Sequence, residues 1–275
     1  MKQPSGLLPS LSLVQKIERA EMDYMTDRML AIQHREGNPE GVELQRFGHA
    51  VCYYSRTMPW PSFNTVKGLT NADFEHLEPI LEFYRQRGRK PQLEIIPGQV
   101  DERLISHLSE LGLYPSGHHC SLIAEPSHIL NPSEQVRLEE VKEGQMELYA
   151  TIHCRGTGLS DDGIPYVTRN NEVLLHRPGW KFYIAYVDDR PAAVAVMYIK
   201  DRKASLTFAA TLPEFRQRGL HRLLLIRRIT EAYATDCGLV VGQCAYLSQS
   251  HRNMEHVGMK LGYVRASWTV RDPMI

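Results

Sequence analysis

Apolar and polar residues alternate in blocks along the second half of the chain, and these blocks predict a β-meander. Phe182 to Val187 and Ala192 to Ile199 are apolar runs of strand length that a short polar turn connects. A third strand is predicted from Ala204 to Thr211, after the charged residues 200–203. Three strands with such short connections favour an antiparallel arrangement.

The pattern becomes helical after these strands. Between Arg222 and Cys237, apolar residues recur at helical spacing, and Gly238 is expected to end the helix. The apolar positions are Leu225, Ile229, Ala232 and Tyr233, and the charged positions between them include Arg227, Arg228 and Glu231. A buried strand from Leu239 to Tyr246 follows, so we expect a parallel strand pair with a right-handed helical crossover.

A similar order of elements is predicted in the first half of the chain. It comprises a helix with Leu77, Ile80, Leu81 and Tyr84 that ends at Gly88, a strand from Gln92 to Ile96, a helix from Asp101 to Leu111 and a strand from His118 to Ala124. When Gly112 is aligned with Gly258, residues 120–123 and 266–269 lie at the same distance after each Gly. Either an internal repeat or the frequent helix-strand order of α/β chains explains this match.

The domain division follows from length and turn chemistry. A chain of 275 residues is long enough for two domains. Residues 125–133 contain two prolines and several turn-forming residues, which is typical of a linker. We predict an α/β fold with mixed sheets flanked by helices, divided into domains 1–130 and 131–275.

The turn Arg216-Gln217-Arg218-Gly219-Leu220-His221 lies between a predicted strand and a predicted helix. The start of a helix presents unpaired backbone N–H groups and a partial positive charge, both of which favour an anion. Arg216, Arg218 and Arg222 add full charges, and Gly219 has no Cβ to obstruct a ligand. The sequence therefore predicts a phosphate cradle at residues 216–222, and pyrophosphate suits it best.

The cradle resembles the cofactor loop of the GNAT superfamily of acyl-CoA N-acyltransferases, which runs Arg or Gln, two residues, Gly, one residue, and Gly or Ala. Arg216 and Gly219 occupy that register, and residues 211–216 resemble the strand exit of the family. His221 replaces the small residue, so its imidazole either turns away from the pyrophosphate or, when protonated, contributes to its binding. The resemblance implies a parallel strand pair that splays apart around acetyl-CoA.

Coenzyme contacts are implied for eleven residues by the same resemblance: Ala209, Ala210, Thr211, Arg216, Gln217, Arg218, Gly219, Leu220, His221, Arg222 and Asn253. Close packing of a strand against a helix would explain the two alanines equally well. The first domain has no Arg-x-x-Gly turn in residues 63–69 before its helix, so we interpret it as a degenerate GNAT-like domain that does not bind coenzyme A.

Catalytic residues are harder to assign. The last helix of the family often carries a tyrosine that protonates the departing thiolate, and here we expect Ser250 to cap a helix from Asn253 to Val257. The tyrosine position is occupied by Met254, which cannot donate a proton, and the nearest tyrosines in the sequence are Tyr246 and Tyr263.

The sequence does not identify the general base either. Relatives often use a glutamate on the central strands, but residues 204–211 contain no acid. Four titratable residues of the preceding segment could reach the site from loops, although solvated positions are expected for them: His153, Asp161, Asp162 and Glu172. The catalytic residues therefore stay unknown at this stage.

The composition of the chain limits the classes of partner that we expect it to bind. Thirty-two basic residues balance thirty-two acidic ones, which argues against a nucleic-acid or anionic-membrane surface. The five cysteines form no CxxC pair and are odd in number, which favours reduced thiols and a cytoplasmic location. No apolar stretch approaches the length of a membrane helix, and the adjacent residues 118–120 do not have metal-ligand spacing. Residues 156–158 are expected to form a flexible loop on the acceptor side.

These inferences predict a cytosolic tandem-domain N-acetyltransferase that binds acetyl-CoA and transfers the acetyl group to a primary amine by direct attack. The alternative is a non-catalytic acyl-CoA-binding or regulatory module, which Met254 and the missing base favour. A third hypothesis is that the cradle binds a phosphate compound other than coenzyme A. The acceptor stays unidentified, because small-molecule and peptide amines use the same thioester chemistry.

Overall fold

The computed structural model describes residues 7–129 and 135–271, and these fall into two compact units. The N-terminal unit contains residues 9–121 and the chain from residue 261 onwards, and the C-terminal unit contains residues 122–260 with those before residue 9. The predicted domain boundary between residues 130 and 131 lies outside the described residues. The predicted division also assigned everything after residue 130 to the second domain, whereas the final strand belongs to the N-terminal unit.

The N-terminal unit combines a six-stranded mixed sheet with three α-helices among its described residues. Its elements are α1 (Leu11–Gln33), β1 (Val42–Phe47), β2 (Ala50–Ser55), β3 (Thr65–Lys67), α2 (Leu77–Arg85), β4 (Gln92–Ile95), α3 (Glu102–Glu110), β5 (Leu113–Ala124) and β11 (Lys260–Val270). The strand order is β1-β2-β3-β4-β11-β5. Strands β3 and β4 are parallel, and α2 connects them.

The core of this unit lies between the sheet and the helices α2 and α3. Its side chains include Leu77, Ile80 and Tyr84 of the helix that the sequence predicted, together with Trp268 of β11. A capping box precedes a short 3₁₀ turn here: the Asp73 carboxylate accepts from the Thr70 N–H at 2.9 Å, and the Thr70 side chain accepts from the Asp73 N–H. Apolar burial of this extent is the main stabilising contribution to such a unit.

A second feature of the N-terminal unit, which the sequence did not predict, is a buried network of charged groups. Lys67 Nζ lies 2.5 Å from Glu94 Oε2, and Arg265 Nη1 donates to Glu21 Oε2 at 2.8 Å. Arg265 Nε lies 3.1 Å from the same Glu94 oxygen. Burial opposes the ionisation of Glu94, but the charges of Lys67 and Arg265 outweigh it, and its pKa is lowered.

The C-terminal unit has a five-stranded sheet and four α-helices among its described residues. Its elements are β6 (Val136–Glu140), α4 (Met146–Thr157), α5 (Ile164–Leu175), β7 (Trp180–Val187), β8 (Arg190–Lys200), β9 (Lys203–Thr211), α6 (Leu220–Ala234), β10 (Leu239–Ala245) and α7 (Gln249–His256). The strand order is β10-β9-β8-β7-β6. Neighbours are antiparallel except β9 and β10, which are parallel, so the predicted mixed-sheet α/β fold is confirmed.

In helix α6, the apolar periodicity of the sequence predicted the burial of two residues and the end of the helix incorrectly. Leu225, Ile229 and Ala232 are buried as predicted, but Tyr233 is 57% exposed and Arg228 is only 1% exposed. The helix also ends earlier than predicted, at a cap formed by Thr235, and Gly238 plays no capping role. Instead Asp236 takes the left-handed conformation with φ 54° after the cap.

Candidate functional site

The parallel strands β9 and β10 separate towards their carboxyl ends. Their register runs from Leu239 opposite Lys203 to Gly242 opposite Leu206 and then stops. Both strands continue beyond this point, β9 to Thr211 and β10 to Ala245. We call the resulting opening, between residues 207–211 of β9 and 243–245 of β10, the strand cleft.

The orientation of the β9 backbone decides which groups face the strand cleft. The Leu212 N–H donates to the Ala192 carbonyl at 2.9 Å, so residue 212 directs its backbone groups towards the neighbouring strand β8. In an antiparallel pair, successive residues direct their backbone groups to alternate edges. Ala209 and Thr211 therefore direct their N–H and C=O groups towards the cleft, whereas Ala210 pairs with Val194 on the β8 side.

An irregularity in β9 lies at the base of the strand cleft. The β8–β9 register shifts between Val196 and Tyr198, which leaves an extra residue on β9. Arg228 of α6 fills this bulge, where its Nη1 donates to the Val196 carbonyl at 2.9 Å and to the Phe208 carbonyl at 3.2 Å. Its Nε donates to Leu224 within the helix. The sequence could have revealed this position, since residue 228 has apolar-face spacing relative to 225 and 232.

Thr207 is a further residue that sequence reasoning missed. It is the first residue of β9 beyond the β10 pairing, and its Oγ1 is buried with no hydrogen-bond partner among the described residues. A buried hydroxyl without a partner costs about 1–3 kcal/mol. A ligand in the strand cleft with a polar group near Thr207 would remove this cost.

The cradle has the backbone geometry of an anion site. Gln217 and Gly219 both take the left-handed conformation, with φ 64° and 76°. Gly219 is the N-cap of α6 and no side chain caps the helix, so the N–H groups of its first turn have no side-chain acceptor. A Cβ at Gly219 would meet no atom within 4 Å, which shows that open space adjoins this turn. The predicted cradle residues 216–222 fit an anionic group there.

The arginines of the cradle have different surroundings. Arg216 Nη2 donates to the Gly156 carbonyl at 3.0 Å, so its guanidinium links the turn to the end of α4. Arg218 lies over the ring of Phe215 at 5.4 Å. Arg222 is exposed on the first turn of α6. All three keep positive charge close to the N-terminus of α6, where it favours a phosphate.

His221 and Asn253, which were both predicted to contact the coenzyme, contact each other. Asn253 Nδ2 lies 3.0 Å from His221 Nδ1, and this pair joins α6 to α7. Burial and the nearby Arg228 charge lower the pKa of His221 to about 4. The imidazole is therefore neutral at pH 7, which favours the alternative in which it turns away from the pyrophosphate.

The end of α4 is packed closely against β9. A Cβ on Gly156 would lie 2.9 Å from Ala210 Cβ and 3.2 Å from the Thr211 backbone nitrogen. Gly158 takes the left-handed conformation at the C-cap of the helix. The prediction of a flexible loop at residues 156–158 is wrong, because two of these residues complete a helix and the third caps it.

The position of the usual general acid is filled by a core side chain. Met254 is 4% exposed, and its Cε lies 3.1 Å from the point that a Cβ on Gly242 would occupy. Tyr246 is 46% exposed on the turn after β10. Tyr263 lies in the N-terminal unit, where its hydroxyl donates to Glu21 Oε1 at 3.4 Å and burial raises its pKa well above the ordinary value.

The four candidate bases occupy different environments. Asp161 accepts two hydrogen bonds from Arg155, which lower its pKa, and Asp162 lies beside it on the exposed turn. Glu172 is exposed on α5. His153 instead stacks on Phe208 of β9, with ring centroids 3.9 Å apart and an interplanar angle of 11°.

Residues 7–129 and 135–271 contain no group of three or more His, Cys, Asp or Glu side chains that could hold a metal ion. Across the same ranges, no helix combines the length and apolar character that crossing a membrane requires. All five cysteines are free and buried.

Comparisons with known proteins identify the segment that carries the cradle. A family model described as an acetyltransferase (GNAT) domain matches residues 135–242, which span β6 to β10. No curated protein matches the chain.

Solved structures show that the GNAT fold extends over most of the chain. A GCN5-related N-acetyltransferase from Kribbella flavida is 15% identical, with 96% of this chain and 98% of that chain covered and a TM-score of 0.69. A tandem GNAT protein from the clavulanic acid biosynthesis pathway is 13% identical, with 98% and 99% covered and a TM-score of 0.63. A third, from Sphaerobacter thermophilus, is 10% identical, with 95% and 93% covered and a TM-score of 0.61.

The family match and the fold agree with the geometry of the strand cleft, the bulge and the cradle. Identities this low establish the fold alone, whereas the family model identifies the segment itself. The predicted resemblance is thereby confirmed: residues 135–242 match the acetyltransferase (GNAT) family model, and the chain shares its fold with GCN5-related N-acetyltransferases and a tandem GNAT protein.

Proposed function

We propose that the protein is an N-acetyltransferase that transfers the acetyl group of acetyl-CoA directly to a primary amine. The observation that carries this proposal is the strand cleft, which opens between β9 and β10 beside the start of α6. The cleft offers strand backbone to an extended amide-containing arm, and the cradle offers N–H groups and arginines to a pyrophosphate. Both features suit the two halves of coenzyme A.

Binding is assigned to the predicted residues according to their geometry. The backbone groups of Ala209 and Thr211, which face the strand cleft, hydrogen-bond the amides of the pantetheine arm. The N–H groups of residues 219–222 and the charges of Arg216 and Arg218 bind the pyrophosphate. His221 is neutral, so its role is to hold Asn253 beside the cradle rather than to supply charge.

The reaction is a nucleophilic substitution at the thioester carbonyl. The acceptor ammonium loses a proton, its nitrogen attacks the carbonyl carbon, the C–N bond forms and the C–S bond breaks. The amide nitrogen loses a second proton and the departing sulfur takes one up. A thiol with an ordinary pKa of about 8.5 is a tolerable leaving group near neutral pH, so the missing tyrosine at Met254 does not prevent turnover.

One coenzyme site per chain is expected. In the N-terminal unit, the parallel strands β3 and β4 end in an ion pair between Lys67 and Glu94 rather than in an opening. Residues 63–69, which precede α2, contain no Arg-x-x-Gly turn. These two features support the interpretation of this unit as a degenerate GNAT-like domain.

A non-catalytic acyl-CoA-binding or regulatory module is the second candidate, and the buried Met254 favours it. The two functions differ in turnover, not in binding. We would titrate the purified chain with acetyl-CoA by calorimetry and then measure free thiol released in the presence of amino acids, polyamines, aminoglycosides and a lysine-containing peptide. Binding with thiol release supports the enzyme, binding without release for every amine class supports the module, and absence of binding contradicts both.

The cradle makes a specific prediction for Gly219→Val. The branched side chain would project into the open space beside the turn and would be strained at φ 76°, so we expect acetyl-CoA affinity to fall by at least about tenfold, or ~1.4 kcal/mol. Gly112→Val is the matched control, because Gly112 has φ 81°, open space around its Cβ position and a place in the other unit. Equal affinities for the two variants in the same titration would refute the cradle assignment.

A further inference from the structure

Direct attack requires a group that takes a proton from the acceptor ammonium, and β9 itself offers none. Residues 203–211 contain no acid or histidine, and the only titratable residue of this strand is Lys203 at its far end. An element packed on β9 can supply the base instead. Helix α4 is such an element, and it places His153 flat against the ring of Phe208, the residue next to Thr207.

The position of His153 along β9 is fixed by backbone packing one turn later in the helix. Gly156 approaches Ala210 and Thr211 so closely that a Cβ there would lie within 3.2 Å of the Thr211 backbone. This contact and the Arg216 bond to the Gly156 carbonyl tie the end of α4 to the exit of β9. The imidazole is thereby held at the level of the strand cleft, rather than on a mobile loop.

Tyr149 fixes the orientation of the imidazole ring. It lies one turn before His153 in α4, is fully buried, and packs edge-on against Phe182 with ring centroids 5.1 Å apart. Its hydroxyl oxygen lies 3.4 Å from His153 Nδ1. When Nδ1 carries the proton and donates to this oxygen, Nε2 has a lone pair and can accept a proton.

We propose that His153 is the general base of the acetyl transfer and that Tyr149 is its positioning residue, an inference that rests on the proposed N-acetyltransferase function. Nε2 takes one proton from the acceptor ammonium, and the neutral amine then forms the C–N bond as the C–S bond breaks. The second proton of the nitrogen passes to the departing thiolate, directly or through water. The imidazolium returns its proton to solvent, which balances the cycle.

His221 is a further histidine close to the cradle, and its geometry makes it unsuitable for this role. Its Nδ1 accepts from Asn253, and it lies at the start of α6 among the cradle residues rather than against β9. It therefore serves as an internal comparison for any histidine-directed experiment.

The first test measures whether the acyl group covers His153. Diethyl pyrocarbonate modification of His153 is followed by peptide mass spectrometry in the free protein, with acetyl-CoA, and with adenosine 3′-phosphate 5′-diphosphate, which can fill only the cradle. We expect acetyl-CoA to slow modification of His153 by about tenfold or more because coenzyme sites bury most of their ligand, and the nucleotide fragment to change it by less than about twofold.

Three results of this test would overturn the inference: bound acetyl-CoA that leaves the His153 rate unchanged, equal protection by the nucleotide fragment, or no reaction of His153 in the free protein. The first leaves the proposed acetyl transfer intact, because binding is measured separately. Failure of acetyl-CoA to bind would overturn both proposals together.

The second test compares two amines. Ethylamine is protonated at neutral pH and needs a base, whereas hydroxylamine is largely unprotonated and does not. We expect His153→Gln to lower turnover of ethylamine by about 10²- to 10⁴-fold, to lower that of hydroxylamine far less, and to leave the dissociation constant of acetyl-CoA unchanged. Tyr149→Phe should also lower the turnover of ethylamine more than that of hydroxylamine, but by a smaller factor than His153→Gln. His176→Gln, at an exposed residue of the same unit, is the control and should change neither rate.

Equal losses for both amines, or no loss, in His153→Gln would overturn the assignment of a base. If neither amine is a substrate of the unmodified protein, the protection experiment alone decides. Both experiments use the full chain, so they do not depend on separating the two units.

Discussion

Arg228 carries a full positive charge in the interior of the C-terminal unit, and this charge contributes to keeping a second residue neutral. Burial lowers its pKa to about 10, which still leaves it protonated at pH 7, and three backbone carbonyls accept its hydrogen bonds. No carboxylate forms a salt bridge with it among the described residues. Its charge adds to burial in keeping His221 neutral.

This arrangement predicts acid sensitivity. The His221 pKa is about 4 in the folded chain and near 6.5 when unfolded, so the unfolded state binds the extra proton first. Stability from this residue is present above about pH 6.5 and is lost as the pH falls towards 4. Urea unfolding from pH 7 to pH 4.5 should show a shallower decline for His221→Asn, which cannot take up a proton. Parallel curves for the two proteins would contradict this prediction.

Sequence reasoning predicted the turn at Arg216 and Gly219 but not the residues whose positions depend on burial. The turn could be predicted because a tight basic segment before a helix has few structural alternatives, whereas its binding of a phosphate stays a prediction. Arg228 has apolar-face spacing in the sequence, but the usual expectation that charged residues are exposed argued against an interior position. Met254 was correctly noticed as an unusual residue, but only the structure shows that Gly242 makes room for it.

At the scale of elements, α7 illustrates how a helix start is selected between two serines. The sequence predicted Ser250 as the N-cap, but the side chain of Ser248 accepts from the His251 N–H at 3.2 Å, and Ser250 lies inside the helix. The preceding Leu247 takes the left-handed conformation, with φ 61°, and its N–H donates to His251 Nδ1 at 3.1 Å. The prediction of Ser250 as the cap is therefore wrong.

The two serines provide a matched pair for a stability measurement. Ser248→Ala removes the acceptor for the His251 N–H and should lower the free energy of unfolding by about 1 kcal/mol. Ser250→Ala makes the same chemical change inside the helix and should be neutral or slightly favourable, because alanine is the better helix former. Denaturant titrations of both variants distinguish the caps, and a larger loss for Ser250→Ala would contradict the observed helix start.

Strands and helices with regular apolar spacing were predicted close to their observed bounds, and the remaining elements have an identifiable reason for being missed. Helix α1 buries Glu18 and Glu21, which interrupts the apolar periodicity that would reveal it. Strand β5 begins at Leu113 rather than at His118, although Pro115 and Gly117 are unfavourable in strands. Its first residues pair with their neighbours in spite of local propensity.

At the scale of the whole chain, the sequence predicted the repeated order of helices and strands. It did not predict which strand pairs with the last strand of that order. The observed order α2-β4-α3-β5 matches α6-β10-α7-β11, as the alignment of Gly112 with Gly258 predicted. Strand β11, however, pairs with β4 of the N-terminal unit, with Ala266 opposite Ile95 and Trp268 opposite Leu93. Sequence patterns specify which residues form a strand, whereas the partner depends on contacts between distant segments.

The contribution of β11 to the N-terminal unit can be measured through Trp268. Its side chain is 8% exposed and belongs to the core with Leu93 and Leu108, so Trp268→Ala should lower the free energy of unfolding by about 3–5 kcal/mol. Trp60 belongs to the same unit but is 48% exposed, and Trp60→Ala should cost less than about 0.5 kcal/mol. Similar losses in chemical denaturation would show that β11 contributes little to this core.

The placement of β11 also has a consequence for biosynthesis. Residues 9–121 emerge from the ribosome before residues 260–270, so the β11-facing edge of β4 is unpaired in the nascent N-terminal unit until β11 follows. Exposed strand edges and incomplete cores make nascent chains prone to misassociation. The helices and strands of this unit can form early, but its sheet is completed only after β11 has emerged from the ribosome.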